Sequence, residues 1–249
     1  MRCIFIILLL CNFCYGGLQM LKTDMDYAQV KDSTYSSDLT VGTFMIYIFL
    51  DSQVTQTTYL IGSADTVGNT RFFALAIEND DEPMIFVRNN GTTNNIHGDS
   101  LHTLRWYLLT YQSTGAAYRI AINDTLSNLS VDGGANDGNW IASVDERDNF
   151  TIGALERSAQ IRRVNGVIGF VRAYDRVLSI GEISSIFHSR GSINVEGCIG
   201  DWRMDEKPNG TSASATDSIY DISGQGIDLD LVNTPVYTAT PTKLFGRRR

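Results

Sequence analysis

A short glycine-rich segment carries side chains that could bind a cation and a sugar together. The segment is VDGGANDGNW, residues 131–140, and its candidate residues are Asp132, Asn136, Asp137, Asn139 and Trp140. Calcium prefers carboxylate and amide oxygens, which predicts Asp132, Asn136 and Asp137 as metal ligands. Asn139 and Trp140 would bind the sugar, with the indole ring stacked on a pyranose. The alternative is a solvated loop in which Trp140 caps the core.

A second cation candidate lies near the C-terminus, where Asp221 and Asp228 flank a Ser-Gly turn. An Asx-turn explains Asp221 equally well without an ion. The histidines argue against zinc, because His97, His102 and His188 do not have the spacing of known zinc ligands.

Segments rich in β-branched and aromatic residues alternate with turns rich in Gly, Asn, Asp and Ser, which predicts β-strands. The predicted strands are 39–51, 58–63, 71–78, 83–90, 104–113, 116–124, 149–155 and 165–175. The polar residues 125–149 are predicted to form a long loop. Asn165-Gly166 predicts a type I′ turn.

A single helix is predicted after the last of these strands. Ser179 is a good N-cap, Glu182 completes a capping box, and Gly191 is the expected left-handed stop. An apolar stripe follows one face of the helix: Ile180, Ile183, Ile186 and Phe187. We expect this helix, of about ten residues, to cover an open edge or end of a β-sandwich.

The N-terminus predicts a secretory signal peptide over residues 1–16. An apolar run follows Met1-Arg2 and ends before Gly16-Gly17, and it is too short to span a bilayer. The protein is therefore predicted to be secreted, without a membrane span. The alternative is that translation starts at Met20.

Three of the four cysteines lie in this leader, which leaves Cys198 in the mature chain. Its thiol is either buried and inert or bridges two chains in an oligomer. The net charge of −8 and the pI near 4.8 argue against a nucleic-acid partner. The basic run 247–249 is interpreted as a solvated tail or a processing site.

Three stretches together carry a family resemblance: RWYLLTYQSTGAAYRIAIND, FTIGA and NGVIGFVRAYDRVLSIGEISSIF. They resemble the laminin G-like, concanavalin A-like jelly-roll superfamily, over roughly residues 26–190. The resemblance implies an all-β fold, an antiparallel jelly-roll β-sandwich with one short helix. We therefore predict a signal peptide over 1–16, a jelly-roll domain over 17–191, and a C-terminal β extension over 192–249 that docks on the sandwich.

This superfamily includes glycoside hydrolases, whose retaining members carry a Glu-x-Asp-x-Glu pattern on one strand. No such triplet occurs in the chain. The nearest acidic groups are Asp201 with Asp205 and Glu206, and Asp145 with Glu146 and Asp148. The sequence also lacks a Gly-x-Ser-x-Gly elbow and a phosphate loop. We predict that the protein is not an enzyme and has no catalytic residues.

The resemblance implies binding of a glycan or glycoprotein at the loop ends, often with calcium. The leading hypothesis is therefore a secreted, lectin-like domain with calcium as its cofactor. A structural or adhesion protein of a virus or phage particle is the alternative, and a glycoside hydrolase comes third. These hypotheses depend largely on fold analogy.

Overall fold

The computed structural model describes residues 16–20, 26–31, 35, 38–158, 162–214 and 216–239. In these ranges the strands are β1 (Gly16–Met20), β2 (Tyr27–Lys31), β3 (Gly42–Leu50), β4 (Thr58–Ala64), β5 (Arg71–Ile77), β6 (Pro83–Asn89), β7 (Thr92–His97), β8 (Arg105–Ser113), β9 (Tyr118–Ile122), β10 (Thr125–Leu126), β11 (Ser130–Gly133), β12 (Asn149–Ile152), β13 (Ala154–Leu155), β14 (Arg162–Arg163), β15 (Gly166–Tyr174), β16 (Cys198–Trp202), β17 (Ser218–Ile219), β18 (Leu229–Val232) and β19 (Val236–Ala239). The helices are a 3-10 turn at Ile141–Ser143 and α1 at Ile180–His188.

Two antiparallel sheets form a sandwich, which confirms the predicted fold class. The first sheet has the order β10-β9-β8-β3-β15-β1-β19, with β16 also paired to β15. The second has the order β11-β7-β6-β5-β4-β12-β2-β18-β17. The core lies between them, because alternate residues of each strand face inward. On β5, for example, Phe73 and Leu75 join the core, whereas Phe72 and Ala74 belong to a separate outer cluster.

Helix α1 covers the outer face of the first sheet and does not close an edge or end of the sandwich. Ile183 and Ile186 are buried in a cluster with Tyr47, Trp106 and Phe170. The predicted capping box is present. The left-handed stop at Gly191 is also present, with φ at +76°. The capped end fixes the register, so Ile183 and Ile186 face the sheet and Phe187 packs partly against it. Ile180, the first residue of the predicted stripe, is 44% exposed and does not join this contact.

The charge of Glu182 gives this helix a testable pH dependence. Hydrogen bonds from Arg176 and from the Ser179 backbone lower the pKa of Glu182 from its ordinary 4.5 to about 2. A depressed pKa means that the stabilisation is complete above pH 4.5 and is lost as the pH falls toward 2. We expect Glu182→Gln to remove this acid-dependent loss, which is about 1 kcal/mol or less at this surface site. Urea unfolding of both proteins between pH 2 and 7 measures this loss. If the free energies of unfolding of the two proteins fall in parallel with pH, the assignment is contradicted.

The structure corrects three local predictions. Residues 92–97 form a strand that was not predicted, and the predicted loop over 125–149 contains β10, β11 and the 3-10 turn. The type I′ turn at Asn165-Gly166 is wrong, because such a turn needs positive φ and neither residue has it. Positive φ values occur instead at Asn90 (46°) and Gly91 (96°), between β6 and β7.

Strands from the C-terminal segment belong to both sheets. β16 pairs with β15 and β19 with β1 in the first sheet, while β18 pairs with β2 in the second. A buried ion pair reinforces one of these contacts, with Arg172 Nε 3.1 Å from Asp201 Oδ1. Cys198 is a free, half-buried cysteine, and burial raises the pKa of its thiol. The division at residue 191 stays a prediction.

The ends of the chain fall largely outside the described ranges. Residues 1–15 of the predicted signal peptide and the basic run 247–249 are among them. In the part that is described, no helix is long and apolar enough to span a membrane.

Candidate functional site

The predicted calcium ligands Asn136 and Asp137 stabilise their own loop by hydrogen bonding. Asp137 Oδ1 accepts from Asn94 Nδ2 at 2.7 Å and from the Asn139 backbone N–H at 3.0 Å. Asp137 Oδ2 accepts from Asn139 Nδ2 at 2.7 Å. Asn136 Oδ1 accepts from the Tyr118 backbone N–H. Both side chains therefore act as structural acceptors, and neither contacts Asp132 through any of these bonds.

Trp140 is a core residue. Its side chain is fully buried, and its ring centroid lies 4.9 Å from that of Phe73 and 5.8 Å from that of Phe44. A ring without exposed surface offers no face for a sugar, so the structure favours the alternative in which Trp140 packs in the core. Asn139 lines a small polar cleft at this end of the sandwich, together with Val87, Asn89, Thr92, Asn94 and Ser143.

The outer face of the second sheet carries a surface that the sequence analysis missed. We call it the arginine face, and it consists of Tyr59, Phe72, Phe86, Arg88, Arg157 and Arg162. Phe72 is paired with Arg88 across β5 and β6, and the rings of Phe72 and Phe86 meet edge to face at 4.9 Å. The small residues Ala74 and Ala76 lie between these large side chains on β5. The pleat thus places an arginine beside a group of aromatic rings, which we call the aromatic floor. Phe72 and Tyr59 in this floor are buried, and Phe86 is the ring with exposed surface.

A short hairpin brings further arginines onto this face. β13 and β14 pair with each other and lie against β4, where a side chain on Gly62 would approach the Ala154 carbonyl oxygen to 2.6 Å. Only glycine permits this close approach. The Arg157 guanidinium carbon lies 4.7 Å above the Phe72 ring centroid, a cation–π geometry. Arg162 belongs to β14 itself.

The charges of these neighbouring groups act on one another. The pKa of Arg157 is lowered, first by burial and then by the nearby guanidinium groups of Arg162 and Arg88. Burial raises the pKa of Tyr59, although Arg157 and Arg162 oppose the shift. Among the residues that the structure describes, no carboxylate forms an ion pair with Arg88 or Arg162. Positive charge is thus concentrated here in a protein with a net charge of −8.

Acidic groups surround a buried histidine farther along the same face. We call Glu78, His97 and Asp132 the histidine cluster. His97 Nδ1 lies 3.1 Å from Glu78 Oε2 and 3.7 Å from Glu82 Oε2, and His97 Nε2 lies 3.5 Å from Asp132 Oδ2. Burial is the main cause of the raised pKa of Glu78; the charge of His97 opposes it and neighbouring acids add to it. The histidines lack the spacing of zinc ligands in the sequence. The fold nevertheless brings His97 next to two carboxylates, in a geometry that could bind a metal ion.

The acidic groups considered for hydrolysis have structural contacts. Asp201 is paired with Arg172, and Asp148 accepts hydrogen bonds from the Thr66 backbone N–H and hydroxyl. Burial raises the pKa of both Asp205 and Glu206. Asp145 accepts a hydrogen bond from Asn89. Glu146 is paired with Arg71.

The second cation candidate is organised as a turn. Asp221 Oδ1 accepts from the Ser223 backbone N–H at 2.9 Å, and its Oδ2 accepts from the Ser223 hydroxyl at 2.8 Å. The Asp201 and Ile227 backbone N–H groups also donate to this carboxylate. Asp228 Oδ1 accepts from the Asp221 backbone N–H. The contacts of Asp221 match the Asx-turn alternative.

Comparisons with known proteins add structural neighbours. No protein-family model and no curated protein matches the chain. The CBM40 domain of the Ruminococcus gnavus IT-sialidase, solved with α2,3 sialyllactose, matches with a TM-score of 0.57 and 16% identity, covering 69% of this chain and 96% of that one. A Bacteroides ovatus protein described as a putative carbohydrate binding protein matches at 0.63 and 14%, covering 92% and 60%.

A heptameric SAP-like pentraxin from Limulus polyphemus matches with a TM-score of 0.51 and 12% identity, covering 92% of this chain and 91% of that one. At these identities the likeness concerns the fold. It supports the predicted jelly-roll β-sandwich. Membership of the laminin G-like group stays a prediction.

Proposed function

We propose that the protein is a non-catalytic carbohydrate-binding domain that recognises an acidic glycan at the arginine face. The observation that carries this proposal is the concentration of Arg88, Arg157 and Arg162 around an aromatic floor. Like charges held close together repel each other, and an anionic ligand would relieve that repulsion. The sugar ring would lie over the half-buried Phe86.

Arginine suits a carboxylate-bearing sugar for geometric reasons. Its planar guanidinium can donate two parallel hydrogen bonds to one carboxylate, which adds specificity as well as affinity. All three arginines are partly exposed. The Nε atoms of Arg88 and Arg157 are buried, and Arg157 also donates to the Asn69 carbonyl at 3.3 Å. The neighbouring CBM40 domain, solved with a sialylated sugar, supports the choice of an acidic glycan.

Secretion forms part of this proposal, because glycans of this kind are found outside cells. The N-terminal sequence pattern supports it. Leu18 and Met20 are fully buried on β1, between β15 and β19. This supports a folded domain that includes residues 17–19, which a start at Met20 would remove. Calcium assistance stays a prediction from the sequence.

The proposal is tested by calorimetry with sialyllactose and with lactose. We expect the protein to bind sialyllactose at least tenfold more tightly, because only that sugar carries a carboxylate. Arg88→Gln and Arg162→Gln should each weaken sialyllactose binding by about ten- to a hundredfold, the loss of one charge-assisted hydrogen bond.

Arg119→Gln is the matched control, because Arg119 is exposed on β9 of the other sheet and its loss changes the net charge equally. Its affinity for sialyllactose should equal that of the wild type. Equal losses in all three variants would indicate non-specific attraction and overturn the assigned site. Equal binding of the two sugars would overturn the acidic ligand.

A further inference from the structure

We propose that Glu78, His97 and Asp132 form a binding site for a divalent transition metal of the Zn²⁺ class. This inference is independent of the glycan proposal, because it depends on different residues and a different ligand. The three side chains come from the segment after β5, the end of β7, and β11. One ligand atom from each lies within 4.8 Å of the other two.

The strand register brings the three ligands together. His97 is paired with Met84 on β6, and Ser130 of β11 is paired with His97 on its other side. The pairing of β11 with β7 is irregular between Val131 and Gly133, which places Asp132 at a β-bulge. From the bulge its Oδ2 lies 3.5 Å from His97 Nε2. Glu78 follows β5 directly, and its backbone N–H donates to the Glu82 carbonyl at 2.8 Å in the β5–β6 turn.

The imidazole of His97 points to a ligand, because each ring nitrogen lies near a carboxylate without forming a hydrogen bond to it. Its side chain is fully buried, yet neither ring nitrogen has a hydrogen-bond partner of acceptable geometry among the described residues. Buried polar atoms without partners are rare and costly in native proteins. A metal ion bound to one ring nitrogen would satisfy it, and the other nitrogen would donate to a neighbouring carboxylate such as Glu82.

A metal ion could reach the buried His97 ring from the side of the two carboxylates. The Asp132 side chain is 58% exposed and the Glu78 side chain is 28% exposed, so an ion can reach the buried ring from that side. Glu82 and Asp80 add further negative charge near the cluster, which favours a dication. Glu78 lies nearest His97 Nδ1 and Asp132 lies nearest Nε2. One of the two carboxylates must therefore rotate toward the other nitrogen to bring three ligand atoms within about 2.0–2.2 Å of one ion.

The chemical types of the three ligand atoms indicate which class of metal ion fits the site. One imidazole nitrogen with two carboxylates suits Zn²⁺ and similar first-row ions, whereas Ca²⁺ prefers sites made of oxygen alone. Three protein ligands leave the fourth position of a tetrahedral ion open to solvent or to a bound molecule. Only Asp132 of the predicted calcium ligands takes part.

Titration of the full chain with Zn²⁺ and with Ca²⁺ by calorimetry tests the site. We expect one Zn²⁺ per chain and at least tenfold weaker Ca²⁺ binding. Asp132→Asn and Glu78→Gln should each weaken Zn²⁺ binding by at least about tenfold. The exposed Asp230→Asn, on β18, is the matched acidic control and should bind as the wild type does.

Two further measurements keep the test decisive. Cys198→Ser should leave Zn²⁺ binding unchanged, which separates the site from thiol binding. Bound Co²⁺ should give visible absorption bands that Asp132→Asn abolishes or shifts. The proposal is overturned if Zn²⁺ does not bind, or if it binds Asp132→Asn and Glu78→Gln as tightly as the wild type. In that case His97 serves only as an ion-pair partner of the acids.

Discussion

Replacing Arg172 by methionine is expected to lower the free energy of unfolding by about 3–5 kcal/mol, the usual cost of removing one partner from a buried ion pair. The Arg172 side chain is fully buried, and Asp201 is 1% exposed. Arg172 also donates to the Ile193 carbonyl at 2.7 Å and to the Gly191 carbonyl. The substitution would leave Asp201 and both carbonyls without that donor. Urea unfolding with an unchanged m-value measures the loss.

Arg203→Met is the matched control for this prediction. Arg203 also faces Asp201, at 3.6 Å, but its side chain is 39% exposed. Exposed pairs contribute about 0–1 kcal/mol, so this variant should remain close to the wild type. Similar losses in the two variants would show that burial does not control the strength of these pairs. Adding Asp201→Asn to Arg172→Met should recover part of the lost stability, because the buried Asp201 carboxylate would otherwise keep only the partly exposed Arg203 as its cation.

The predictable parts of the fold are those with strong local patterns. β3 and β8 are long apolar strands with β-branched and aromatic residues. The bounds of β3 fall within three residues of the predicted ones, and those of β8 within one. The capping box of α1 is equally local, because Ser179 and Glu182 contact each other within one turn. Such features depend on neighbouring residues alone, and a single sequence therefore suffices to predict them.

β7 was missed because its sequence, TTNNIH, is polar, although the preceding Asn90-Gly91 is a strong hairpin signal. Recognising that turn would have put His97 on a strand next to β6. Its carboxylate partners would still have been unknown, because Glu78 and Asp132 reach it through the β5–β6 turn and through β11.

The arginine face could not be predicted from the sequence for the same reason, because its residues come from distant parts of the chain. Arg88 comes from β6, whereas Arg157 and Arg162 come from a hairpin more than sixty residues later. Their proximity requires the close contact between Gly62 and Ala154. Neither residue type nor spacing contains that information, because tertiary register creates the surface. The sequence pointed instead to the acidic loop 131–140, because all of its candidate ligands lie in one short segment.

Replacing Trp140 by alanine is expected to cost about 3–5 kcal/mol of stability, because it removes a fully buried ring and leaves a cavity. Trp140→Phe should cost less, since it keeps an aromatic contact with Phe73. It also loses no hydrogen bond, because Trp140 Nε1 has no partner among the described residues. Chemical unfolding of the two variants measures both losses.

The phenylalanine variant also separates the two interpretations of this residue. If Trp140 only packs in the core, Trp140→Phe retains the wild-type affinity for sialyllactose while its stability falls. A sugar-stacking ring would give the opposite result, with weaker binding and nearly unchanged stability. The first result would leave glycan recognition to side chains with exposed surface, such as Phe86 and Arg88 on the arginine face. Binding and stability therefore need to be measured on the same preparation of each variant.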